Sequence, residues 1–205
     1  MPKPTHLAFN VKNVKFAVET TPGSGTWDAP QDLALADALT LEADYSEQVI
    51  YGDGKPQAVI ADDRGMTGNL ITTAINPTYE IAMKRALEID GGLADIQQSG
   101  TVKHCLYYEV EVQDTSGIKT IKAWLFGVYS GKPSETYNQT KEDPTINFYE
   151  HSLKIHGTKL QNALGTDDYV DANGNTLIVT RLVAWPEDTG YATFGDTVPT
   201  PTALT

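Results

Sequence analysis

Two alternating segments around a short turn constrain the fold of this chain most strongly. Apolar side chains occupy every second position from Leu106 to Val112, and polar side chains dominate the positions between them. Residues 114–117 supply a turn, and Ile118 to Phe126 then alternates again. Because successive strand side chains point to opposite faces, this pattern predicts a β-hairpin with one buried face. A chain built around such a hairpin must contribute further strands to a sheet.

Most of the remaining sequence also favours strands. Runs rich in β-favouring residues occur at 14–20, 39–45, 66–75 and 145–156. Two apolar runs, 48–51 and 57–60, flank the turn signal Tyr51-Gly52-Asp53-Gly54-Lys55-Pro56. Asp62-Asp63-Arg64-Gly65 predicts a second break in the chain. The fold is therefore expected to be mainly β.

One segment favours a helix. Asn76 is a suitable N-cap, and Pro77 fits the first helical position, where its missing N–H costs nothing. An apolar stripe follows, and Gly91-Gly92 is typical of a helix end. We expect one α-helix, about 76–90, packed against the sheet.

Composition narrows the class of protein. The 205 residues include 27 Asp and Glu but 15 Lys and Arg, which gives a net charge of -12. A basic surface for nucleic acid is therefore not expected. A single cysteine, Cys105, allows no intrachain disulfide. The first residues have no apolar core of a secretory signal, and no stretch is long and apolar enough to span a membrane.

The character of the sequence changes after Gly157. Residues 161–205 hold six acidic residues and one basic residue, Arg181. We therefore expect a main domain at 1–160 and a C-terminal extension at 161–205. The extension contains a possible hairpin around Asn173-Gly174 and a Pro- and Thr-rich stretch, 198–202, that predicts a loose tail.

The candidate catalytic and metal-binding residues in the sequence do not form a complete site. His104 and Cys105 are adjacent, so on a strand they point to opposite faces and cannot form a dyad. His151 and His156 lack further residues spaced for zinc. The segment Asp171–Asn175 has calcium-loop composition, but both essential carboxylate positions around it are unsuitable. We predict no catalytic residue, no cofactor site and no metal site.

The order of these elements resembles the major tail proteins of long, flexible-tailed phages of Gram-positive bacteria. The resemblance covers roughly residues 10–160. Thr140-Lys141-Glu142-Asp143, after the stretch at 132–135, is its most specific local feature. The most similar segments are Val14–Val18, Val49–Thr73, Asn76–Leu87, Tyr107–Gly131 and Thr140–Leu153.

This resemblance implies a fold and a task. It implies a β-sandwich or barrel of two sheets with a flanking helix. Six copies would form a ring, strands of neighbouring copies would close an inner barrel, and stacked rings would form the hollow tail tube. DNA would pass through without specific binding. The implied partners are further copies of the chain, tail terminator and tail-tip or baseplate initiator proteins, and a tape-measure protein in the lumen. The implied location is the virion tail, assembled in the host cytoplasm, without membrane contact.

The resemblance also implies two sets of site residues. An inter-subunit loop would reach a neighbouring subunit or ring, although an ordinary exposed hairpin is the alternative. Its residues are Tyr51, Asp53, Lys55, Asp62, Asp63 and Arg64. Candidate lumen-facing acids, which would repel DNA phosphate, are Asp44, Glu47 and Asp53, with a solvated outer face as the alternative.

Two other functions stay open. The same subunit could build the tube of a tail-like bacteriocin. A monomeric ligand- or carbohydrate-binding β-sandwich would instead present an exposed aromatic strip, which ten tyrosines and three tryptophans permit. The tryptophans are Trp27, Trp124 and Trp185.

Overall fold

The computed structural model describes residues 7–33, 36–53, 55–97, 100–114, 117–135, 148–162, 164–165 and 167–202. The first elements are β1 (Leu7–Val18), β2 (Gln31–Asp32), β3 (Ala36–Gly52), β4 (Lys55–Thr72), α1 (Pro77–Ala82), β5 (Ala86–Ile89) and β6 (Gly92–Asp95). The later elements are β7 (His104–Asp114), β8 (Gly117–Ser130), β9 (Ser134–Glu135), β10 (Tyr149–Ile155), β11 (Thr158–Lys159), β12 (Ile178–Val179), β13 (Arg181–Ala184) and a 3-10 turn (Tyr191–Thr193). Thr140–Asp143 and the predicted start of the last long strand at residue 145 lie outside the described residues.

One antiparallel sheet dominates the structure. Within the described residues it has nine strands. Seven follow the order β2-β1-β7-β8-β10-β4-β3, and the other two, β13 and β9, pair with β8 and β10, respectively. Side chains from opposite ends of this order, such as Phe16 on β1 and Leu39 on β3, pack into one core. The sheet therefore folds over itself around that core, and the prediction of a mainly β, sandwich-like fold with one helix is confirmed.

The predicted hairpin is β7 and β8, paired from Leu106 with Leu125 to Asp114 with Gly117. Leu106 and Leu125 lie in the main core, as the alternation requires. Tyr107, on the other face, is also buried and packs against Trp124 with the ring centroids 5.2 Å apart. This end of the hairpin is therefore covered on both faces.

The helix begins where the sequence predicts but is shorter. The side-chain oxygen of Asn76 accepts the backbone N–H of Tyr79 at 3.1 Å, and Pro77 is the first helical residue. The helix nevertheless ends at Ala82, because Lys84 adopts the left-handed conformation with φ of 56°. The expected extension to about residue 90 is wrong. Those residues form the β5–β6 hairpin, whose turn has positive φ at both Asp90 and Gly91, as a type I′ turn requires.

The predicted break at 62–65 is a β-bulge inside β4. The register shifts between the pairs Ala43–Met66 and Tyr45–Asp63, so two residues of β4 oppose one of β3. Gly65 has a φ of 100°, and a Cβ there would overlap the carbonyl oxygen of Ile155. Only glycine fits this position, and the strand continues through it.

The C-terminal segment is packed onto the outer face of the sheet. Strand β13 pairs with β8, and Phe194 and Val198 pack against the cluster that contains Trp124. The indole N–H of Trp124 donates to the carbonyl of Phe194 at 2.8 Å. Pro201 is buried, so the stretch predicted to be a loose tail is held against the fold as far as residue 202.

The predicted turn at Asn173-Gly174 is present. Gly174 donates its backbone N–H to Asp171 at 3.0 Å, and an antiparallel bridge joins Val170 to Thr176. Among the described residues, no helix combines the length and the apolar character needed to cross a membrane.

Candidate functional site

The candidate site is the outer part of the β3–β4 hairpin, residues 45–53 and 55–63, which we call the β-arm. Strand β10 pairs with β4 only from Thr72 to Met66. Beyond Met66, the two strands of the β-arm pair only with each other within the described residues. At about 3.3 Å per residue, the β-arm projects about 30 Å beyond the sheet.

The β-arm exposes apolar side chains instead of burying them. Tyr45 is 56% exposed, Ile50 is 43% exposed and Tyr51 is 68% exposed. An isolated two-stranded ribbon is only marginally stable in water, and open strand edges invite pairing with another chain. A projecting ribbon with these side chains has the properties of a surface that becomes covered by a partner.

Three of the residues predicted for the inter-subunit loop lie together at the tip of the β-arm. Tyr51 is near the end of β3, Asp53 is in the turn with φ of 52°, and Lys55 begins β4. All three side chains are exposed. The tip therefore presents an exposed aromatic ring and exposed charges of both signs.

The other three predicted loop residues lie at the base of the β-arm, about 25–30 Å from the tip. Asp63 accepts the backbone N–H of Gly65 at 3.0 Å and so stabilises the bulge. Arg64 is exposed beside it. Asp62 pairs with Ser46 through the backbone, and its side chain lies outside the description. The sequence-based prediction assigned all six residues to one loop, whereas the structure places them at two separate positions.

The candidate lumen-facing acids are not on one surface. Asp44 is half-buried beside the bulge, whereas Glu47 and Asp53 are exposed. Asp44 and Glu47 are three residues apart on one strand, so their side chains point to opposite faces of the ribbon. Their exposure to a lumen stays a prediction.

A buried polar network, which the sequence did not indicate, connects α1 to the end of β8. The hydroxyl of Tyr79 donates to Ser130 Oγ at 2.9 Å and lies 3.1 Å from His104 Nε2. Arg85 donates to both carboxylate oxygens of Glu80 at 2.8 and 2.9 Å and to the carbonyl of Ser130 at 3.1 Å. The only sequence signal was the presence of histidine on a predicted buried strand.

Burial shifts the pKa values of the ionisable groups in this network. Desolvation raises the pKa of Tyr79 to about 12 and also raises the pKa of the Glu80 carboxyl, although Arg85 opposes the latter. Desolvation and the nearby Arg85 lower the pKa of His104 and of His151 to about 4. Both imidazoles are therefore neutral at pH 7, and the network contributes hydrogen bonds inside the fold.

His104 and Cys105 are adjacent on β7. His104 belongs to the inner network, while Cys105 lies in the outer cluster with Trp124, so the two point to opposite faces. No group of three potential metal-ligating side chains occurs within the residues that the structure describes.

The tryptophans do not form an exposed strip. Trp124 and Trp185 are buried. Trp27 is half-buried and lies under the ammonium group of Lys103, 5.4 Å from its ring centroid. These positions favour packing roles over a sugar-binding platform.

Comparisons with known proteins give limited information. The sequence matches no protein-family model, and no curated protein is similar to it. Several chains of solved structures match this chain, among them one in the cryo-EM structure of the anti-feeding prophage baseplate, 6-fold symmetrised. That match has 11% sequence identity and a TM-score of 0.42, and covers 76% of this chain and 93% of that chain. A likeness of this degree transfers neither a function nor a partner.

Proposed function

We propose that this chain is a non-enzymatic structural subunit that assembles into six-membered rings, which stack into the hollow tail tube of a phage. The observation that carries the proposal is the β-arm, which extends about 30 Å beyond the sheet with exposed apolar side chains. The order of sequence elements, which resembles that of phage major tail proteins, supplies the specific assembly.

The edges of the β-arm favour self-association. Strand β3 ends the order of the main sheet, so its outer edge offers unpaired backbone groups along its length within the described residues. Pairing between copies would satisfy these groups and cover Tyr45. A contact between two different surfaces of the same chain repeats from copy to copy, and it closes into a ring or grows into a filament.

The charge of the chain fits a conduit for DNA. A net charge of -12 repels phosphate and releases no counterions from it. The sequence of the β-arm contains four acidic residues and one basic residue: Glu47, Asp53, Asp62 and Asp63 against Lys55. A wall of this composition lets a polyanion slide without binding.

The partners and the location follow from the tube. Its ends would contact tail-terminator and tail-tip initiator proteins, and a tape-measure protein would occupy its lumen before DNA does. The subunit would thus belong to the virion tail. A tail-like bacteriocin would use the same subunit geometry, and a neighbouring capsid gene distinguishes the two settings.

The test is removal of the β-arm. A variant in which residues 45–63 are replaced by Asn-Gly keeps the pairs from Ala43 with Met66 inward. We expect sedimentation velocity to show large assemblies for the wild type and a folded monomer for this variant. Leu164→Ser, at a position 84% exposed and outside the β-arm, is the matched control and should assemble normally. Equal assembly of the shortened variant would contradict the role of the β-arm.

A further inference from the structure

An apolar groove lies on the inner face of β7, β8 and β13. Its volume is about 270 Å³. The residues that line it include Tyr108, Val110, Val112, Ile121, Val183 and Trp185. Val112, Ile121 and Trp185 form a small cluster separate from the main core. The groove is therefore an extension of the hydrophobic interior that remains open at the surface.

The lining of the groove suits a side chain better than a free ligand. Small-molecule sites contain several convergent polar groups. Here the described lining is mostly aliphatic and aromatic, and its charged member is Arg181, which is exposed. An aromatic ring carried on a protein segment, with a carboxylate beside it, matches this lining.

The tip of the β-arm has that composition. Tyr51 is 68% exposed, and Asp53 follows it by two residues in an exposed turn. We propose that the tip of the β-arm of one copy docks in the groove of a neighbouring copy, with the Tyr51 ring against the apolar lining and the Asp53 carboxylate beside Arg181. This inference rests on the proposed self-assembly and specifies its contact.

The docking has a consequence for symmetry. The tip and the groove are different parts of one surface, so each copy donates one tip and accepts one. Such heterologous contacts generate rings or filaments instead of closed twofold dimers. The β-arm extends about 30 Å, so the groove that accepts its tip can lie on an adjacent copy.

A charge exchange tests the pairing of Asp53 with Arg181. Asp53→Lys and Arg181→Glu should each raise the critical concentration for assembly about tenfold, as expected for loss of a buried interface contact. The double variant, carrying both changes in one chain, should restore assembly to near the wild-type value. Lys154→Glu, a charge reversal at an exposed position of β10 that belongs to neither the tip nor the groove lining, is the control and should change the critical concentration less than about threefold. Because Arg181 also interacts with Tyr108, melting temperatures of all variants are compared.

A disulfide cross-link locates the contact. Tyr51→Cys and Val183→Cys are made in separate chains, mixed, assembled and oxidised, with the buried Cys105 left in place. Mass spectrometry should detect a disulfide between position 51 of one chain and position 183 of another, because such a bond requires the two Cβ atoms to come within about 4.5 Å. Mixing Tyr51→Cys with Leu164→Cys should give no comparable product.

The outcomes separate this inference from the proposed function. If the wild type assembles but neither the cross-link nor the charge rescue appears, the groove is not the docking site and the tube proposal stands. If the cross-link forms but the products are neither rings nor tubes, the docking is supported and the tube proposal fails. If the wild type neither assembles nor cross-links, even after addition of tail-tip complexes, both are overturned.

Discussion

The two buried histidines should make this protein sensitive to mild acid. The side chains of His104 and His151 are almost fully buried, and their pKa values are lowered from 6.5 to about 4. The cause is mainly desolvation, with the positive charge of Arg85 adding to it. Between about pH 6.5 and pH 4 the unfolded chain binds protons at these imidazoles and the folded chain does not. Stability is therefore lost as the pH falls through this window.

The size of the loss follows from those values. Lowering the pH from 7 to 5 should cost about 2 kcal/mol for each histidine, or about 4 kcal/mol for the two. Glu80 acts in the opposite direction, because its raised pKa makes the folded state gain protons first on acidification. The net loss is therefore smaller than the sum of the two histidine contributions.

Urea unfolding at pH 7 and pH 5 measures this loss. The variant His151→Leu should lose about 2 kcal/mol less than the wild type over this interval, because one titrating group is gone. His156→Leu, at an exposed position just after β10, is the matched control and should keep the wild-type pH dependence. A His151→Leu variant with the full wild-type loss would refute the assignment of acid sensitivity to the buried imidazoles.

Two further predictions concern the architecture around the network and the sheet. Arg85→Met should destabilise the fold by about 3–5 kcal/mol in urea unfolding, because it leaves the buried Glu80 carboxylate unpaired, and adding Glu80→Leu should recover much of that loss. An equal loss in the single and double variants would argue against the ion pair. Gly127→Ala should cost more than Gly174→Ala by about 1–3 kcal/mol in the same assay. Both glycines have positive φ, but only at Gly127 would a Cβ overlap a carbonyl, that of Gly157.

Local sequence patterns predicted the secondary-structure elements that depend mainly on local interactions. The β7–β8 hairpin follows from alternation, and the start of α1 follows from the capping geometry of Asn76. The end of α1 did not, because the apolar residues Leu87 and Ile89 fit a helical stripe equally well. In the structure they are 49% and 54% exposed on the β5–β6 hairpin. The helix ends because Lys84 adopts a left-handed backbone conformation, and a lysine at this position does not indicate that conformation.

Long-range contacts explain what the sequence could not show. Gly65 was interpreted as a break, and only the carbonyl of Ile155, ninety residues away, shows that it is a bulge. The acidic C-terminal segment has little periodicity, yet Phe194 packs on Trp124. At the candidate site, the tip turn at Asp53 was evident from the sequence, whereas the length of the β-arm depends on where β10 stops pairing with β4.

Negative-stain electron microscopy of the purified, concentrated protein tests the central claim most directly. The account predicts hollow tubes or six-fold rings, either with the protein alone or after addition of tail-tip complexes as initiators. A protein that remains monomeric at high concentration and in the presence of those complexes would contradict the account and favour a monomeric binding module.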